Sequence, residues 1–358
     1  MVAFSNKSVQ VAIGVAAIGL GAIAPALVGG YTVMLLSRFL AMAIVALGIG
    51  LIWGQGGVLS LGQGVFFGLG GYVLAMHMKL AGGTSAQLPD FMVWSGVTRL
   101  PILWVPFRSA LVSVLAVFLV PGVIAAGFSW TMFRRRIGGV YFALITQALA
   151  LAFATLLVSE QSWTGGFNGL TNFTTLFGFS TLSSGFALGL YYTTLAGTVL
   201  GYLGLRWLMA TRFGLVLRAT RDGENRVRFL GYDPTPYKVV AFTVAAMLAG
   251  VGGALFTLAA GVVSPAMVGV VPSIEMVVYV ALGGRNALWG AIAGTLLVGF
   301  AKEQISSALP SLWLYALGLL FVLVVRFLPQ GVAGLFDQDA GSWTRLLRFR
   351  QAGQRGAS

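Results

Sequence analysis

Long stretches of this chain carry no charged residue at all: residues 8–37, 39–78, 109–133, 137–159, 239–274 and 304–325. Each exceeds the roughly 20 apolar residues that a helix needs to cross a hydrocarbon core of about 30 Å. A water-soluble domain must solvate its surface and carries about a quarter charged residues. Here the figure is 9%, against 58% hydrophobic. The chain is therefore expected to be an all-α polytopic membrane protein, with lipid in place of a water-excluding core.

The run boundaries give about ten transmembrane helices: 9–29, 33–53, 58–78, 110–130, 138–158, 188–208, 238–260, 266–284, 286–303 and 310–328. The first stays apolar from Val9 to Gly29, longer than the about 7–15 residues of a secretory signal core, so it reads as a span. Orientation follows from Lys and Arg, which concentrate in cytoplasmic loops. With the N-terminus inside, 17 of the 22 lie on the cytoplasmic side, leaving Arg38, Lys79, Arg99, Arg108 and Lys302 at outer positions. Both termini are then cytoplasmic. The net charge of +13 comes from this asymmetry and does not imply nucleic acid. Residues 1–330 form the membrane domain, and 331–358 a basic, flexible cytoplasmic tail.

Two outer loops are long, 79–109 and 159–187. The second is rich in Gly, Thr, Ser and Asn, and its length exceeds what a plain connection needs, which suits docking or a lid. Pro265 and Pro272 interrupt the span 266–284, so a broken or re-entrant segment is expected there. Ser273 reads as its N-cap, with Glu275 just inside. Gly64 and Gly68, and Gly290 and Gly294, have the spacing that brings helix backbones close. The strings GLGGYVLA (68–75) and GVGGALFT (250–257) show faint self-similarity. His77, the one histidine, is expected at an outer interface beside Lys79.

Chemistry-bearing residues are few. No cysteine is present, so no thiolate metal site can form, and no cluster of His or acids converges into an enzyme site or calls for a cofactor. A phosphate-cradling loop needs G-x-x-x-x-G-K-[ST]; the four lysines follow Asn6, Met78, Tyr237 and Ala301, so the motif is absent. Any energy from ATP must come from a partner. An ionisable residue inside the bilayer is a functional candidate by default. Glu275 qualifies, although a carboxylate at a helix N-terminus also simply complements the helix dipole. Gln55, Ser60 and Gln63, within the glycine-rich string at 54–64, offer amide and hydroxyl groups that suit either a small polar solute in passage or a neighbouring helix.

The segment 211–238, TRFGLVLRATRDGENRVRFLGYDPTPYK, is the most polar of the cytoplasmic set. Arg218, Arg221 and Arg228 follow one another along an exposed helix broken at Asp222–Gly223. Gly231 reads as a helix C-cap, and Pro234 and Pro236 stop continuation. The segment suits packing into a groove on a soluble partner; an ordinary positively charged loop has the same composition.

Four strings together resemble the permeases of branched-chain amino-acid-type ABC importers, in particular the second permease of the urea branch. They are LSLGQGVFFGLGGYVLAMHMKL (59–80), TGGFNGLTNF (164–173), ATRDGENRVRFLGYDPTPYKVVAF (219–242) and GVVPSIEMVVYVALGG (269–284). The strings GQGVFF, LPDFMVW (88–94) and ENRVRFLGY carry the likeness to the urea branch, whereas Arg285-Asn286-Ala287 departs from the glycine and Ser or Thr usual in relatives. The resemblance implies a heterodimer with a sister permease, two cytoplasmic ATPases and an outer solute-binding protein. Residues 211–236 would be the coupling element seated on an ATPase, through Arg218, Arg221, Asp222, Gly223, Glu224, Asn225 and Gly231. The solute would be urea; an importer of branched-chain amino acids or short amides shares the architecture. A passive channel or secondary carrier working alone is the alternative of a different class, and would call for strong internal repeats or midplane ion ligands.

Overall fold

Backbone surrounded by lipid must satisfy its own hydrogen bonds, and the apolar runs accordingly fold as helices. The computed structural model describes residues 19–81, 88–308, 312–327 and 331–336. After helical residues 19–27 come α1 (Gly30–Ile49), which runs on as a π-helical turn Gly50–Gln55, and α2 (Gln63–Ala81). Next follow α3 (Ala110–Arg134), α4 (Gly139–Ser159), α5 (Ser184–Ala210), α6 (Arg212–Phe229) and α7 (Pro234–Ala260). The series ends with α8 (Val270–Gly283), α9 (Leu288–Ala308) and α10 (Trp313–Phe327).

Among the described residues, seven segments are long and apolar enough to cross a membrane: Gly30–Gln55, α2, α3, α4, α5, α7 and Pro265–Gly283. The expected spans 286–303 and 310–328 appear as α9 and α10 without joining them. Lys302 and Glu303 dilute the apolar character of α9, and α10 has only 15 residues. Most of the expected span 9–29 lies outside the described residues.

Helix α7 is the axis of the bundle, packed against α1, α2 and α3. The two self-similar glycine strings are the contact between α2 and α7. A Cβ added at Gly70 would lie 2.0 Å from the Gly250 carbonyl oxygen, and one at Gly253 would lie 1.9 Å from that of Phe67. Hydrogen in place of a side chain lets the backbones touch, which in lipid is a main source of helix association. Below this contact, Phe66, Phe142 and Phe242 pack edge to face, with ring centroids 5.4–5.5 Å apart on Phe242. By contrast, α3, α4 and α5 turn Leu111, Leu119, Val123, Leu151, Leu200 and Trp207 outward.

The span 266–284 is broken, as the two prolines predict. Its first part is irregular: Val262–Val263 pairs antiparallel with Leu170–Thr171 of the outer loop, and a single 3-10 turn Pro265–Met267 follows. Ser273 is not the N-cap. Helix α8 starts one turn earlier behind Gly269, with Pro272 tolerated in the first turn, and the Ser273 hydroxyl donates back to the Gly269 carbonyl at 3.0 Å. His77 is buried, its Nδ1 2.8 Å from the Phe107 carbonyl oxygen, so it ties α2 to the segment before α3. Of the tail expected from residue 331, Gly331–Phe336 is a short helix packed on α8 and α9; residues 337–358 lie outside the described residues.

Candidate functional site

The polar groups gather in three places. At the end of the bundle where α5, α6 and α7 meet, α6 buries Val216, Leu217, Thr220 and Val227 and exposes Arg212, Arg218, Arg221 and Arg226. Extended backbone at Gly223 (φ −176°, ψ 83°) breaks the helix between Asp222 and Glu224, where the sequence places the interruption. Gly231, at φ +86°, ends it in the left-handed conformation that glycine adopts without strain. Pro234 starts α7 rather than merely stopping α6, with Asp233 capping it by accepting from the Thr235 N–H at 3.0 Å.

Side chains then fasten α6 in place. Arg218 donates to the Met209 carbonyl at 2.7 Å, and Arg221 to that of Gly54 in the π-helical turn at 2.8 Å. Glu224 accepts from Arg228 at 2.9 Å and from Lys238 of α7. Asp222 pairs with Arg221 at 2.8 Å, and Asn225 is exposed. Beside them Phe229, Leu230 and Tyr232 stand out into solvent, Phe229 92% exposed. Their signal in the sequence was three bulky apolar residues inside an otherwise charged string.

Burial pushes the Glu224 carboxyl up, but hydrogen bonds from Lys238 and Arg228 outweigh it and hold the group below the usual carboxylate range. A depressed carboxylate stabilises the fold fully above its ordinary value of about 4.3, and the contribution is lost as pH falls through the lower folded value. The melting temperature of wild type should therefore exceed that of Glu224→Gln by a constant margin from about pH 5 to 8, closing below about pH 4. A margin that grows on acidification would contradict this assignment of charges.

The second place is the junction between the π-helical turn and α2. Gln55 donates its side-chain amide to the Asn286 carbonyl, between α8 and α9, at 2.8 Å. The connection then passes inside the bundle. Leu61 N–H donates to the Thr146 hydroxyl at 3.0 Å, Gly62 N–H to that of Ser60 at 3.4 Å, and Gly64 N–H to that of Ser273 at 3.1 Å. Gln63 is fully enclosed, and neither atom of its amide has a protein partner. A buried amide left so costs about 1–3 kcal/mol, which favours any arrangement of the bundle that supplies a partner. Gln55 and Gln63, read together in the sequence, are thus apart in the fold.

The third place is on α8 and α9. Glu275, 7% exposed, accepts from the Lys302 ammonium at 2.6 Å and from the Tyr279 hydroxyl one turn along α8. The long Lys302 side chain reaches from α9 to α8. An open apolar groove of about 340 Å³ between α4 and residues 265–269 contains none of these polar groups. Among the described residues, no group of three or more His, Cys, Asp and Glu is placed to hold a metal ion.

A family model described as "Branched-chain amino acid transport system / permease component" matches residues 31–325. The chain belongs to that family. It is similar to the high-affinity branched-chain amino acid transport system permease protein LivM of Salmonella typhimurium, 29% identical over 311 residues, which are 81% of this chain and 67% of the relative. The LivM of Escherichia coli is 28% identical over 330 residues, 86% of this chain and 71% of that one. A third relative, the permease protein BraD of Pseudomonas aeruginosa, is 22% identical over 302 residues, 82% and 91% of the two chains. No solved structure matches the chain. As a permease of this family the chain is a multi-pass membrane component of an ABC-type transport system. The matched segment takes in all three polar places.

Proposed function

We propose that this permease is one membrane subunit of an ATP-driven importer of branched-chain amino acids in a bacterial inner membrane. It would work with a sister permease, two cytoplasmic ATP-binding subunits and an outer solute-binding protein. It is not itself an enzyme. The observation that carries the reading is the family match over residues 31–325, with relatives whose names specify branched-chain amino acids. The same match favours this solute over the urea expected from the sequence strings. The Glu275–Lys302 pair also suits a zwitterion, whose two charges call for paired ionic partners. Urea remains the second reading on the GQGVFF, LPDFMVW and ENRVRFLGY strings.

The proposed topology keeps ten spans with both termini cytoplasmic, which sets α6 and its exposed Phe229, Leu230 and Tyr232 on the ATPase side. Closure of the ATPases on binding ATP pushes α6. Arg221 and the Lys238–Glu224 bridge carry that displacement to the π-helical turn of α1 and to α7. The bundle then shifts between inward- and outward-facing arrangements, a population shift driven by the nucleotide's unequal affinity for the two.

The test is uptake of labelled leucine, and separately of labelled urea, by vesicles carrying the complete importer with and without ATP. ATP-dependent leucine uptake that excess urea leaves unchanged is expected. Urea uptake without leucine uptake would overturn the solute while keeping the family and its partners. Equal uptake of either solute without ATP would overturn the importer class.

A further inference from the structure

We propose that Glu275 and Lys302 form the site in this permease that reads both charges of an α-amino acid in transit, the carboxylate receiving the α-ammonium and the lysine the α-carboxylate. This deepens the amino-acid reading above and rests on it.

The position is unusual for a charge pair. Ion pairs also lie on α6 and its junction with α7 and between the end of α2 and the loop that follows it. Glu275–Lys302 joins two helices of the bundle, α8 and α9. Glu275 is five residues past the start of the broken helix α8, and Lys302 lies fourteen past the start of α9, about 21 Å along it at 1.5 Å per residue. Glu275 is the buried half of the pair, within the apolar segment Pro265–Gly283, and an ionisable group in such a segment is a functional candidate by default. A buried pair contributes little net stability, because desolvation cancels most of the attraction and a packed apolar pair would serve as well.

The geometry also fits exchange. The Lys302 side chain is 39% exposed while that of Glu275 is 10% exposed, so the lysine is the half that can leave. When it swings away, Glu275 keeps the Tyr279 hydroxyl as a donor from its own helix. A zwitterion entering between them replaces each lost charge contact with another, so the occupied site is again neutral. The closed pair keeps the path neutral before the solute arrives and after it has gone. Neutral urea supplies neither charge and cannot separate the pair on these terms.

The experiment uses the complete reconstituted importer with loaded binding protein, reading leucine uptake, ATP hydrolysis and assembly of the permease. Variants are the charge exchange Glu275→Lys/Lys302→Glu, the apolar pair Glu275→Met/Lys302→Leu, and Lys302→Arg. The exchange variant restores an ion pair but presents it in reversed order to a solute whose orientation the binding protein fixes. It is expected to assemble, to hydrolyse ATP, and to lose leucine uptake more than tenfold. The apolar pair is expected to assemble and lose uptake equally, and Lys302→Arg to stay within a few-fold of wild type. Near-normal uptake by the exchange or the apolar variant would overturn the site and make the pair structural. Leucine uptake absent from wild type itself would instead overturn the solute reading, and the site with it.

Discussion

Replacing Gly253 by valine removes folded permease from the membrane. A Cβ there lies 1.9 Å from the Phe67 carbonyl oxygen, against a comfortable separation of about 3.5 Å. The atom in the way is backbone inside α2, so no side chain can rotate aside. The helices must part along the contact that also joins Gly70 to Gly250, where a Cβ would lie 2.0 Å from the opposing carbonyl. Ordinary overpacking costs about 1–3 kcal/mol; separating a backbone-to-backbone contact on the axial helix should exceed that range. The expected result is at least a tenfold drop in detergent-extracted, monodisperse protein. Gly127→Ala on α3 serves as the control, because an added Cβ meets nothing within 4 Å there. Near-normal yield of Gly253→Val would mean that α2 and α7 are further apart than described.

The second large effect is functional rather than structural. Arg221→Ala removes a hydrogen bond that links α6 directly to the π-helical turn, the one to the Gly54 carbonyl at 2.8 Å. The arginine is partly solvated, its side chain 31% exposed, so the loss should move stability by no more than about 1 kcal/mol. Transmission is another matter. If α6 carries the ATPase stroke into α1 through this contact, solute uptake should fall at least tenfold while assembly and basal ATP hydrolysis persist. Arg221→Lys restores charge without the fork that also holds Asp222 and should recover uptake only in part. Uptake and hydrolysis falling together would place Arg221 in the ATPase contact itself, and unchanged uptake would remove it from the coupling route.

These two variants fall on opposite sides of what the sequence shows. The glycine strings at 68–75 and 250–257 are visible in the sequence as a faint self-similarity. That they pack on each other was not visible, since a helix face carries no record of its partner. Arg221 was legible as part of a charged cytoplasmic segment, but its acceptor is a backbone carbonyl 167 residues away, and carbonyls carry no sequence signal. The same reason separates Gln55 from Gln63. Eight positions apart in one polar string, they fall on either side of a turn that sends one to Asn286 and encloses the other. Ser273 was misread as a cap because proline at 272 is equally at home one turn earlier or later, and the choice was made by Gly269 and by the hydroxyl's reach to α2.

What the sequence by itself determined is the class of solvent and the alphabet of elements. Uncharged runs longer than a bilayer is thick leave helices as the fold, prolines at 265 and 272 break one of them, and glycine at 223 interrupts, and at 231 ends, the polar helix between α5 and α7. Composition and local sterics act over a few residues, so they can be read along the chain. Tertiary structure alone decided which charges meet: Glu224 with Lys238, and Glu275 with Lys302 across 27 residues. A charge in a dehydrated interior is tolerated only beside its counter-charge, and which counter-charge stands there depends on how the helices cross.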